Sequence, residues 1–328
     1  MLNVTGKEYI TMLKKTRIIL VVMLIFFITP TYGCNAKTYN KWEDTLYTPT
    51  QITKIGENYF IIDCYHNRII YNNNIKDDIS KWKTLTDNIN RGHSIASDGE
   101  LYVHDDTENS SLRVFRKENE TFVQTQIIEN VSGRPHYVLY DNKTQRFYVI
   151  SSEEGKIWVL ENNNGTIKID KTMIINDISN SYVRSFNIID GFLYLISGNG
   201  YIYKVKYDDM SFDIIDKYEV PNNLTGMNFI TKIEDYFYIS TTQNSDGEVI
   251  PDFLRVKDLN DLAKGNYEDL YQKFNFKATP YFISNFDDKY YITEIGVQYN
   301  GVKSFEVKNN EITNIKDIYH YSETIKRE

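Results

Sequence analysis

The chain of 328 residues carries only two cysteines, Cys34 and Cys64, so at most one disulfide can form and stability has to come from a core. Six prolines and 16 glycines exclude collagen-like or linker-type material. The apolar run Ile18–Ile28 holds 11 residues, short of the roughly 20 that a spanning helix needs. Positive charge is in deficit, 37 Lys and Arg against 45 Asp and Glu, and the pI lies near 5.3. That balance excludes a nucleic-acid binder, which sets clustered cations against phosphates. A GxSxG elbow, an HExxH helix, a P-loop and an EF-hand loop are all missing. What the chain has is 41% hydrophobic residues, too many for disorder, with 27 Tyr and 17 Phe among them. Aromatic and β-branched side chains suit pleated, half-buried surfaces, so the composition leans to β.

The start of the chain reads as an address. Lys14, Lys15 and Arg17 precede the apolar run, which leads through Thr29-Pro30-Thr31-Tyr32-Gly33 to Cys34, the order of a secretory signal. Gly33-Cys34 resembles the lipobox of bacterial lipoproteins, although Thr31 stands where that family usually has Leu, Val or Ile. The resemblance implies removal of residues 1–33, acylation of Cys34, and a body held on the outer face of the cell membrane; plain secretion or a signal anchor is the alternative. Met12-Leu13-Lys14-Lys15 reads like a conventional beginning, so translation is expected to start at Met1 or Met12. Removing residues 1–33 takes away Lys7, Lys14, Lys15, Arg17 and Glu8 and leaves a net charge of −11. With Cys34 acylated, Cys64 stands alone and reads as a small buried hydrophobe at a strand end. The Asn-X-Ser/Thr sequons at Asn119, Asn130, Asn142, Asn164 and Asn223 arise by chance in an Asn-rich chain.

Beyond the address one unit recurs six times: Asn58–Asp63, Glu100–Asp105, Arg146–Ser151, Phe192–Ser197, Tyr236–Thr241 and Lys289–Glu294. The second residues of these runs are spaced by 42, 46, 46, 44 and 53, the period of propeller blades. Each run follows a turn rich in Asp, Gly or Asn and another apolar strand; a third strand and a weaker, more polar fourth come after it. The expected fold is therefore all-β, a six-bladed β-propeller of four-stranded antiparallel blades. The expected division is a signal peptide over 1–33, a tether or ring-closing strand over 34–46, the propeller over 47–320 and a tail over 321–328. The spacing of 53 comes from an insertion at Asp258–Phe274, where 3.6-type spacing predicts one or two helical turns. Tyr59–Ile70 resembles the NHL repeat, in which a strand ends in Asp and a short turn with Asn or His leads to Arg and an aliphatic pair. Leu101–Phe115 is similar, with one extra turn residue. The resemblance implies a six-bladed NHL-like propeller, a type used for binding, for lactonase and lyase chemistry, and as scaffold, and by itself fixes no function.

Antiparallel strands put the start of each first strand and the end of each second strand at one face. That geometry gathers Asp63, Asp105, Asp106, Ser151, Ser197, Thr241 and Glu294 with His93, Arg134, His136, Arg184, Asn228 and Tyr281 at the mouth of the central channel. Asp63, His93, Asp105, Arg134, His136, Arg184, Tyr281 and Glu294 form the candidate ligand site. His93 and His136 start adjacent blades and with a carboxylate such as Asp63, Asp105 or Glu294 could supply ligands suited to a divalent metal, but without local metal-ligand spacing the favoured reading is that each His hydrogen-bonds its neighbouring blade. Arg134 and Arg184 suit an anionic group or neutralise the carboxylates. His66 and His104 read as surface or packing residues. The leading expectation is a monomeric, cofactor-free binding or scaffold module for a glycan, peptide or protein partner. The alternative is a metal-assisted, lactonase-like hydrolase or lyase at the same mouth.

If Cys34 carries the anchor, Cys34→Ala should move the protein from the detergent phase to the aqueous phase on Triton X-114 partitioning, since each buried methylene contributes about 0.8 kcal/mol. Unchanged partitioning would assign the anchor to the apolar run itself.

Overall fold

The structure, a computed structural model, describes residues 44–321 apart from Ser132 and Gln298; the signal-like segment, Cys34 and residues 322–328 lie outside the described residues. Six four-stranded antiparallel sheets follow one another in the chain. The first blade holds β1 (Pro49–Ile55), β2 (Asn58–Asp63), β3 (Arg68–Asn72) and β4 (Lys83–Thr86); the second β5 (Ile95–Ser97), β6 (Leu101–Asp106), β7 (Ser111–Glu118) and β8 (Thr121–Ile128). The third holds β9 (Pro135–Asp141), β10 (Arg146–Ser151), β11 (Lys156–Asn162) and β12 (Ile167–Ile174); the fourth β13 (Phe186–Ile189), β14 (Phe192–Ser197), β15 (Tyr201–Lys206) and β16 (Asp213–Glu219). The fifth holds β17 (Met227–Ile233), β18 (Tyr236–Gln243), β19 (Val249–Val256) and β20 (Glu268–Asp269); the sixth β21 (Thr279–Phe286), β22 (Lys289–Ile295), β23 (Asn300–Lys308) and β24 (Glu311–Tyr321). The six-bladed propeller expected from the period is the fold. No helix among the described residues is long and apolar enough to cross a membrane.

Local chemistry sets the hairpins. Asp190-Gly191, Asp287-Asp288 and Asn309-Asn310 all have positive φ, the mirror-type turn whose twist matches that of the flanking strands. Asp and Asn tolerate that region because their short side chains bond locally. Burial then falls from the axis outward: β2 and β6 are buried along their whole length, whereas β12 and β16 are largely exposed. The insertion in the fifth blade forms a 3-10 helix, Leu259–Lys264, capped by the Asp258 side chain on Asn260 N, and it leaves that blade an outer strand of two residues.

At the axis, first strands of four blades bring aromatic rings together. Tyr137 on β9 lies 5.5 Å from Phe186 on β13, 5.9 Å from Phe229 on β17 and 5.0 Å from Phe282 on β21, centroid to centroid. These rings span opposite blades and fill the axis at their level. The site is thereby confined to the mouth above them.

Residues 34–43 of the expected tether or ring-closing strand lie outside the described residues, and among the described ones no strand is shared between the first and sixth blades. The outer place in the sixth blade belongs to β24, paired with β23. Leu46 and Tyr47 are instead buried beside the first blade, and Thr48 N donates to Asn300 Oδ1 in the sixth at 2.9 Å.

The NHL-like resemblance has a structural basis in two blades. The Asp63 carboxylate accepts from Tyr47 N (2.6 Å), His66 Nδ1 (2.7 Å) and Arg68 Nε (2.9 Å). Asp106 does the same for Asn90 N (2.7 Å), Asn109 Nδ2 (3.0 Å) and Arg113 Nε (2.6 Å). Each latch closes a short turn that ends in a left-handed residue, Asn67 or Ser110. The extra turn residue noted in the second blade makes Asp106, rather than Asp105, the counterpart of Asp63.

Both aspartates are fully buried and both arginines nearly so. Asp63→Ala or Asp106→Ala should therefore cost about 3–5 kcal/mol in urea unfolding, because a buried guanidinium loses its partner. Lys143→Ala, which breaks an exposed pair with Asp208, should leave the midpoint almost unchanged.

Candidate functional site

Second-strand ends supply carboxylates to the mouth, and most of them are occupied. Asp105 is fully buried and accepts from His93 N (2.9 Å), Ser94 N (2.8 Å), Ser94 Oγ (2.7 Å) and Thr107 Oγ1 (2.8 Å). Burial works to raise its carboxyl, but the hydrogen bond from His93 and the charges of His104 and His93 hold it below the ordinary range. Glu294 is buried in the sixth blade; its Oε1 accepts from Lys277 N and from Ala278 N at 2.7 Å, and Lys303 Nζ lies 3.6 Å from Oε2. Burial pushes its carboxyl up against those donors. Asp63, Asp105, Asp106 and Glu294 thus hold the backbone that enters the first strand of their own blades. In the third blade Ser151 Oγ and Ser152 Oγ stand in the same place and donate to Gly133 O (2.5 Å) and Arg134 O (3.2 Å).

The two candidate histidines do meet. The rings of His93 and His136 stack with centroids 3.8 Å apart and planes 24° from parallel. His136 Nδ1 lies 2.7 Å from Arg184 O in the next blade, so Nδ1 carries the proton in the neutral ring. His93 Nδ1 lies 3.1 Å from Thr107 Oγ1 and 3.7 Å from Asp105, and its Nε2 is 3.9 Å from Cys64 Sγ. Cys64 is buried as the sequence predicts, and burial together with the charges of Asp105 and Asp63 pushes its thiol well up. Among the described residues no three His, Cys, Asp or Glu side chains converge closely enough to hold a metal ion. The physical reason is the occupancy of the carboxylates by donors of their own blades.

Tyr281 packs against Phe282 at 4.5 Å, and its carbonyl accepts from Ser240 Oγ at 2.6 Å. Burial holds its phenol well above the ordinary range, with Arg184 pulling the other way and Tyr182, Cys64 and Asp105 adding to it. Arg134 sits farther out, paired with Glu108 at 2.7 Å and Glu153 at 3.4 Å. The mouth therefore gathers His93, His136, Arg184 and Tyr281, while Asp63, Asp105 and Glu294 are spent holding the backbone of their own blades and Arg134 belongs to the rim.

A cavity of about 270 Å³ opens between the ends of the fourth and fifth blades. Asn180, Ser181, Tyr182 and Arg184 form one wall; Gly198 and Asn199 from the fourth blade and Thr225–Met227 and Gln243–Ser245 from the fifth complete it. Arg184 Nη1 donates to Asn228 Oδ1 (2.9 Å) and Gly226 O (3.3 Å), and the guanidinium lies 5.1 Å from the Tyr182 ring. Asn228 is fixed in turn by its own donation to Pro280 O at 2.9 Å and by Thr242 Oγ1 at 2.6 Å. Apart from Arg184 the lining is neutral. Sequence reasoning found Arg184 and passed over the rest; the available signal was the pair of glycine-bearing turns. A Cβ on Gly226 would stand 2.6 Å from Gln243 O, so only glycine lets the two turns approach.

Burial holds the His136 imidazole well below its ordinary range, aided by the charges of His93 and Arg184; burial lowers His104 too. An unfolded histidine takes up its proton near pH 6.5 while these stay neutral, so stability is full above that pH and is lost as pH falls. The loss should approach about 1.4 kcal/mol per pH unit for each histidine. Urea midpoints are expected to drop between pH 7.5 and 5.5, with a flatter dependence in His136→Gln; equal slopes would contradict the assignment.

No protein-family model and no curated protein matches the chain. Solved structures do. A candidate 6-phosphogluconolactonase of Bacteroides fragilis superposes with a TM-score of 0.58 at 13% identity, over 85% of this chain and 86% of that one. Another from Bacteroides uniformis gives 0.57 at 12%, over 85% and 87%. A protein of Lactobacillus plantarum gives 0.55 at 12%, over 84% and 85%. At such identities the likeness is one of fold, and the chain is a six-bladed β-propeller with a polar cleft at its mouth.

Proposed function

We propose that the protein is an extracytoplasmic propeller, anchored through an acylated Cys34, that binds a small polar ligand such as the end of a glycan or peptide at its mouth. The observation that carries this reading is the lining of the 270 Å³ cavity: amides, hydroxyls, glycine backbone, one tyrosine and one methionine (Met227) beside Arg184, with no Asp, Glu, His, Lys or Cys among them. Such a wall recognises hydroxyl and amide groups and offers no side chain for proton transfer near neutral pH. The reading calls on no metal or cofactor.

A second reading, a lactonase-like hydrolase, draws on the fold likeness and on His136, whose neutral ring keeps Nε2 as the basic atom. Acid release from an added lactone, abolished in His136→Gln, would place it first.

Ser245 is exposed on the cavity's rim. Ser245→Trp should fill the cavity and abolish binding on glycan and peptide arrays, with no change in melting temperature. Undiminished array binding by that variant would move the binding surface elsewhere.

A further inference from the structure

Eight arginines lie among the described residues, and seven of them have a carboxylate within 4 Å. These pairs are Arg68 with Asp63, Arg91 with Glu108, Arg113 with Asp106, Arg116 with Glu100, Arg134 with Glu108, Arg146 with Glu161, and Arg255 with Glu268. Arg184 is the exception, in a chain with more acidic than basic residues. Its two protein partners, Asn228 Oδ1 and Gly226 O, are neutral and both take Nη1. Nε and Nη2 donate to no protein atom among the described residues. That pair of donors is the side-on edge of a guanidinium, whose spacing matches the two oxygens of a carboxylate or two of a phosphate.

Arg184 is also held in place. Asn228 is buried and bonded on both ends of its amide, Gly226 is fixed by hydrogen bonds with Gln243 and Thr242, and the Arg184 carbonyl accepts from His136. A guanidinium fixed before the ligand arrives loses little rotamer entropy on binding. The rest of the wall supplies neutral amides from Asn180 and Gln243 and the carbonyl of the Asn199 side chain, whose Nδ2 is taken by Asp177 O and Tyr203 Oη, while Asn244 is held by Glu248 and Asp246. One fixed cation among groups that pair with hydroxyls describes a receptor for an acidic polyol.

We infer that this cavity binds a hydroxyl-bearing ligand through its carboxylate or phosphate group, with Arg184 taking the anion side-on. The inference rests on the binding reading above and narrows it to one ligand class.

The test uses the detergent-solubilised full chain and two matched pairs, galacturonate against galactose and glucose 6-phosphate against glucose, titrated by calorimetry at low and at physiological salt. At least one acid should bind about tenfold or more tightly than its neutral partner, an advantage expected of a charge-assisted bidentate contact. The preferred acid distinguishes a carboxylate from a phosphate ligand. Arg184→Gln should erase the difference, and Arg184→Lys should keep part of it, which separates charge recognition from mere support of the ring. Equal affinity within both pairs would overturn the anionic class and leave the binding reading standing. Arrays on which Ser245→Trp binds like the wild type, together with no heat from any of the four sugars, would overturn both.

Discussion

A propeller leaves one edge of every innermost strand facing the axis with its backbone groups unpaired, and this chain answers that constraint with a belt of side chains. Thr50 Oγ1 donates to His93 O, Ser94 Oγ accepts from Val138 N, and His136 Nδ1 donates to Arg184 O. Ser185 Oγ donates to Asn228 O, Asn228 Nδ2 to Pro280 O, and Thr293 Oγ1 to Thr50 O, which returns the belt to its start. Each contact joins one blade to the next. Buried backbone groups that lack a ladder partner cost free energy comparable to a lost hydrogen bond, so the belt is a condition for the ring to exist.

The belt and the aromatic layer beneath it divide the labour along the axis. Tyr137, Phe186, Phe229 and Phe282 immediately follow His136, Ser185, Asn228 and Tyr281 in sequence, so each of these four first strands contributes one residue to the tier at the mouth and the next to the apolar plug. The cleft opens where that polar tier passes from the fourth blade to the fifth. There the belt residue is Asn228, and its amide oxygen is what remains to hold Arg184.

Much of the fold was legible because the 42- to 53-residue period and the turn chemistry repeat along the chain. The Asp63 and Arg68 signature even marked a real device, the latch that recurs at Asp106 and Arg113. The site was legible only in outline. Sequence gave residue types at one face, and a buried Asp63 or Glu294 has the same letter whether its oxygens await a ligand or already hold the backbone. The cleft itself stayed hidden because neutral Asn, Ser, Thr and Gly residues carry no spacing rule, and because only the folded ring shows that they surround an arginine with no carboxylate partner among the described residues. His136 shows the same limit: the alternatives of ligand and inter-blade donor differ only in the position of Arg184 O.

The seam between the first and sixth blades has a mechanical consequence. Tyr47 N is gripped by Asp63 in the first blade and Thr48 N by Asn300 in the sixth, on consecutive residues. Tension applied to the chain ahead of Tyr47 therefore arrives at both sides of the seam at once. The load is shared between two sheets through neighbouring amides, so opening the ring from that side means breaking contacts to both blades at the place where the ring is joined.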